Sequence, residues 1–277
     1  MKRVAYLLRC VRAFVIRDFQ LEKSYRLNFF LRVLSVLAVV TTFFFVSRIF
    51  TGGADCPCAS SPFAHWRDPL AAWIIGLAVL NYFMTGFSSL ANAIRSEQTQ
   101  GTLEGTLMTP INIPVLVVSS SAWAFVQATF FSSLYFFFGW AFFGVRFRGS
   151  FLLAFAILLL TTLVLASLGI LSASFAMVFK RGDPFALFLG TGSALFSGVF
   201  FPTQLLGSGF GQVSRALPPT YGLDGIRAVL IEGRGFSEVR EPIFMLLFFL
   251  AALLPFSLWV FSRAVRRAKR EGSLIQY

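Results

Sequence analysis

The chain has 277 residues, is 57% hydrophobic with 36 Phe, and carries a formal net charge of +12. Soluble domains use fewer apolar and far fewer aromatic residues, and the long apolar runs here are unlike the short alternating strands of a membrane β-barrel. Basic residues cluster at the ends of those runs, as the positive-inside rule requires, which argues against a nucleic-acid partner.

Met1 to Arg26 reads as an amphipathic helix. Val4, Leu7, Leu8, Val11, Phe14, Val15 and Phe19 recur at helical spacing, with Arg3, Arg9, Arg12 and Arg17 on the polar side. Such a helix lies in the headgroup plane of an anionic leaflet. No short apolar core followed by a small-residue cleavage site occurs there, so no cleavable leader is expected.

Six apolar spans follow: Phe29 to Ile49, Leu70 to Leu90, Val115 to Phe143, Phe151 to Phe179, Phe185 to Phe201 and Ile243 to Phe261. Runs of roughly 20 apolar residues can each cross a ~30 Å hydrocarbon core. The expected fold is an all-α polytopic membrane protein. An even number of spans puts both termini on one side. That side collects sixteen basic residues against eight on the other, so both termini are expected in the cytoplasm.

The loop after the first span holds Cys56 and Cys58, with Asp55 and His65 nearby. This spacing is not one of the usual zinc patterns. The pair reads as two loop thiols, able to pair if the loop faces an oxidising compartment, and no metal site is expected.

After the second span comes a polar stretch, Ile94 to Pro110. Leu103 and Leu107 lie four apart, on one face of a short helix. Glu97 and Glu104 would align on one continuous helix, but Gly101 permits a break. Pro110 and Pro114 end the segment. From periodicity alone, a helix that docks on a partner and a solvated loop fit equally well.

The fifth span is rich in Gly and ends near Pro202. Broken backbone at membrane depth must be buried in protein or line a cavity. The preferred reading is a helix that breaks near Ser197-Gly198 and continues as a re-entrant or interfacial piece; an ordinary span ending at Pro202 is the alternative. Leu217 to Gly222 reads as a turn. Leu223 to Ile231 reads as a short amphipathic helix with Asp224 in its first turn and Gly233 as its stop.

The six spans contain no Asp, Glu, Lys or His, while Asn81 and Gln127 are notable polar groups. Ion-coupled carriers need intramembrane ionisable groups, and a membrane enzyme needs a nucleophile, base or metal within reach of one another. No G-x-x-x-x-G-K-[ST] phosphate loop occurs, so any uphill transport needs a partner that hydrolyses nucleotide. A passive channel or scaffold is the alternative without an energy source.

Two stretches carry a family resemblance. Glu97-x-x-x-Gly101-Thr102-Leu103-Glu104-x-x-Leu107-x-Thr109-Pro110, placed after the second span, resembles the cytoplasmic coupling segment of ABC type-2 transporter permeases. Ser197 to Pro202, followed by Leu217 to Arg227, resembles the external re-entrant region of that family. Gly105 and Thr106 depart from the bulky or charged residues that many members carry there.

The resemblance implies one transmembrane domain over 1–277, with an interfacial helix at 1–26, a coupling segment at 94–114 and an external re-entrant region at 197–241. It implies a permease that works as a dimer, with a second copy or a related permease, in the plasma membrane (the bacterial inner membrane). Cytoplasmic ABC ATPase subunits would bind ATP and Mg; this chain would hold no cofactor and catalyse nothing. Glu97, Gly101, Thr102, Leu103, Glu104, Leu107, Thr109 and Pro110 would couple to the ATPase. Gly198, Phe201, Pro202, Pro219, Tyr221, Asp224 and Arg227 would belong to the external gate. The expected cargo is hydrophobic or amphiphilic: a drug, a lipid or a lipid-linked glycan.

Overall fold

The structure, a computed structural model, describes residues 2–51, 68–101, 105, 113–179, 190, 192, 195–200, 214 and 216–270. Among them are seven helices: α1 (Lys2–Lys23), α2 (Arg26–Thr51), α3 (Pro69–Thr99), α4 (Ile113–Phe143), α5 (Phe151–Phe179), α6 (Pro218–Leu230) and α7 (Arg240–Arg270). Five of these, α2, α3, α4, α5 and α7, are long and apolar enough to cross a membrane. The sixth expected span, Phe185 to Phe201, lies mostly outside the described residues, as does the Cys56/Cys58 loop.

α3 is the central helix. It packs on α4 and α5, while α7 packs on α5 and the short α6 wedges against α3, α5 and α7. α2 and α7 are mostly exposed along their apolar lengths, as helices facing lipid or another apolar surface are. The largest buried cluster joins Ile75, Phe83 and Phe87 of α3 to Ile157 and Leu165 of α5, Leu223 and Ile226 of α6 and Leu246 of α7.

Association in lipid relies on close packing rather than on the hydrophobic effect. α3 and α5 meet backbone to backbone: a Cβ at Gly169 would collide with the carbonyl oxygens of Gly86 and Phe87. Polar side chains add interhelical bonds. Asn81 Nδ2 donates to the Ala128 carbonyl at 3.1 Å and to Ser132 Oγ at 3.2 Å. Tyr82 Oη donates to Thr129 Oγ1 at 2.6 Å. Asn81 thus holds α3 to α4, a structural duty that accounts for a polar group at that depth.

Two expectations about boundaries are corrected. The second span does not end at Leu90: α3 runs on through Ile94 to Thr99, so the polar stretch begins as helix. Thirty-one residues make a helix of about 46 Å, well beyond a ~30 Å core. Gly101, at φ +70°, ends it in the left-handed conformation that glycine adopts most easily.

The second correction concerns Leu217 to Gly222, which form the first turns of α6 rather than a separate turn. Pro218 and Pro219 occupy the first helical positions, where a missing N–H costs nothing. Asp224 is therefore mid-helix, and no acidic residue lies in the first turn. The expected stop holds: Gly233 has φ +72° and its N–H donates to the Val229 carbonyl at 3.1 Å.

Candidate coupling and gate sites

Two clusters of polar side chains stand out, one at each end of α3. At its C-terminal end, Glu97 is joined to the amphipathic helix α1. Arg17 Nη1 donates to Glu97 Oε1 at 3.2 Å, and Arg17 Nε donates to Asp18 Oδ1 at 2.8 Å. The Glu97 side chain is 12% exposed and the Arg17 side chain 46%. Partial burial lowers the Arg17 guanidinium, but the Asp18 and then the Glu97 carboxylates more than offset it and hold the group above its ordinary value.

One turn further along α1, Glu22 Oε2 accepts the indole N–H of Trp123 at 2.7 Å and an amide N–H of Gln127. Phe19 packs edge-on against Trp123, their ring centroids 5.5 Å apart. α1 is thus fastened to both α3 and α4. Sequence reasoning missed Glu22 and Trp123. The available signal was an acidic residue near the end of a basic helix, together with Trp123 and Gln127 four apart on one face of α4.

Of the expected coupling residues, Glu97 and Gly101 are described, at the end of α3. Thr102, Leu103, Glu104, Leu107, Thr109 and Pro110 lie outside the described residues.

At the N-terminal end of α3, the chain leaves helical conformation at Ser197, and Gly198 has φ +83°. The exposed carbonyls of this break are taken up by neighbours. Arg227 Nη1 donates to the Gly198 carbonyl at 2.8 Å, and Arg227 Nη2 donates to Val199 O at 3.2 Å and to Ala72 O at 3.1 Å. Trp73 Nε1 donates to Phe200 O at 3.2 Å.

Close approach makes this possible. A Cβ on Gly76 would lie 2.9 Å from Val199 O and 3.3 Å from Arg227 Nη2. The Arg227 side chain is buried. Burial pushes its guanidinium down to about 10, and Asp224 pulls it back up, so it stays cationic at neutral pH. A planar fork that spans several carbonyls suits Arg and not Lys.

The expected gate residues therefore divide. Arg227 and Gly198 meet directly. Pro219 starts α6. Tyr221 packs on Phe249 of α7 at 6.3 Å between ring centroids. Asp224 is exposed. Phe201 and Pro202 lie outside the described residues. Trp73 and Gly76 were missed, because nothing in an apolar helix marks which indole or glycine will face a backbone break.

A cavity of about 400 Å³ lies between α3, α4, α5 and α6. Hydroxyls of Tyr82, Thr129, Ser132 and Ser133 share its wall with Phe136 and Phe155. No group of three or more His, Cys, Asp or Glu that could hold a metal occurs among the described residues.

A family model described as ABC-2 type transporter matches residues 10–231. The chain belongs to the ABC-2 type transporter family. The matched stretch takes in both clusters, from the middle of α1 to the end of α6. Membership makes this ABC-2 protein a multi-pass membrane transport subunit, the permease part of an ABC transporter, and not itself a catalyst. No individually curated protein matches the chain.

Proposed function

We propose that this ABC-2 permease is driven by a separate cytoplasmic ABC ATPase and exports a hydrophobic or amphiphilic substrate. The observation that carries the reading is the fastening of α1 to the extension of α3 through Arg17 and Glu97. A helix that projects past the membrane and is tied to an interfacial helix can pass a push to both at once. The segment that follows, Thr102 to Pro110, is the natural receiver of that push. ATP binding would close the ATPase dimer against it.

The 16-to-8 bias of basic residues puts this end in the cytoplasm, and with it both termini. The Arg227 cluster then faces outward and serves as a latch on the external gate. Gly198, Phe201 and Pro202 would move when it opens, with Pro219, Tyr221 and Asp224 carried along on α6. The cavity beside Tyr82 mixes hydroxyls with rings, which suits an amphiphile. The exposed faces of α2 and α7 suit lipid and a second permease.

Affinity purification of the tagged chain from its native membrane, followed by mass spectrometry, tests the reading. It should recover an ABC ATPase in stoichiometric amount. Recovery of the chain with no nucleotide-binding partner would favour a passive channel or scaffold.

A further inference from the structure

A cleft of about 350 Å³ lies between α1, α2 and α4. Its floor is apolar, built from Phe29, Val126 and Phe130, each of which is exposed on the chain. At its mouth stand Lys23 and Arg26, at the joint between α1 and α2. Both are exposed, and neither has an ion-pair partner among the described residues. The one carboxylate lining the cleft, Glu22, already accepts N–H groups from Trp123 and Gln127 on the α4 side. The free charge at the mouth is therefore positive.

Depth and charge agree. From Trp123, beside the mouth, to Phe130 is seven residues of α4, about 10 Å along the axis. A cation pair at headgroup level with an aromatic trough one to two turns deeper is the shape of a phosphate bearing an acyl chain. A basic pocket between helices recognises such headgroups, and phosphate pairs well with Arg and Lys. A cationic amphiphile would meet two positive charges at the entrance.

We propose that this cleft binds an anionic phospholipid, its phosphate held by Lys23 and Arg26 and one acyl chain laid against Phe29, Val126 and Phe130. The lipid fills the gap between α1 and α4 left open beyond the Phe19–Trp123 contact. It stiffens the joint through which α1 is tied to the rest of the bundle. This binding does not depend on ATP.

Native mass spectrometry of the purified chain in neutral detergent, titrated with phosphatidylglycerol and phosphatidylcholine, tests it. One phosphatidylglycerol adduct should form with roughly tenfold preference over phosphatidylcholine. The double variant Lys23→Gln, Arg26→Gln should lose that preference. Val126→Trp, which fills the trough and leaves both charges, should lose the adduct itself. Equal adducts of the two lipids would overturn the proposal. So would an adduct that survives both variants, or one that Val126→Trp removes while the charge variant leaves it unchanged, because the occupant would then be held without its phosphate.

Discussion

Arg17 and Glu97 lie 80 residues apart in sequence and meet at 3.2 Å. That contact joins the helix that lies along the membrane surface to the end of the most buried span. A partly exposed pair of this kind contributes about 0.3–1 kcal/mol. Its value to the molecule is therefore geometric rather than energetic.

The first prediction follows from that small energy. Glu97→Ala should lower the thermal midpoint of the purified protein by no more than a few degrees. The charge-reversed double variant Arg17→Glu, Glu97→Arg should recover most of the loss. A large drop in thermal stability would mean that Glu97 supports the fold in a way the pair does not describe. Differential scanning fluorimetry in detergent is sufficient.

Arg227 predicts the opposite scale. Arg227→Ala leaves the carbonyls of Ala72, Gly198 and Val199 without their guanidinium donor in a buried place. The cost should be about 2–4 kcal/mol. Arg227→Lys should recover only part, since one ammonium cannot span all three acceptors. Because the folded group stays protonated up to about 10, the loss should be the same at pH 6 and pH 9. A loss that grows or shrinks across that window would point to a different titrating group.

Gly76→Ala should disturb the same break from the other side. The added methyl sits 2.9 Å from Val199 O, so α3 and the segment around Gly198 must move apart. The expected destabilisation is about 1–3 kcal/mol. Gly169→Ala should cost a similar amount at a different place, the crossing of α3 and α5. Only the Gly76 variant should raise the reactivity of a cysteine introduced at Val199; equal reactivity in both would argue against a local latch.

The five long helices were legible because length and hydropathy alone define a span. The polar stretch was recognisable as an anomaly, and its resemblance to a coupling segment led to the right family. Its first six residues were misassigned to a loop because a hydropathy reading ends a helix where polarity begins, whereas α3 continues by backbone bonding to Gly101. The proline pair at Pro218 was read as a turn, although prolines at the first positions of a helix are equally favourable. The break at Ser197–Gly198 was visible in the glycines. Its partners were not: Arg227, Trp73 and Gly76 come from two distant helices, and only tertiary packing brings their donors to one set of carbonyls.

Leu107 and Glu104 lie outside the described residues, and their role rests on the family resemblance. Glu104→Ala with Leu107→Ala should weaken association with the ATPase several-fold while leaving the amount of chain in the membrane unchanged. Co-purification yield relative to membrane content measures both. Unchanged yield would move the contact to another segment.

The most direct measurement is the rate of ATP hydrolysis by the co-purified ATPase, alone and reconstituted with this chain. We expect reconstitution to raise the rate, and Glu97→Ala to remove most of the increase while the complex stays assembled. A rate that does not respond to the chain, or a Glu97→Ala complex as active as the unaltered one, would contradict the claim that force enters through the joined ends of α1 and α3.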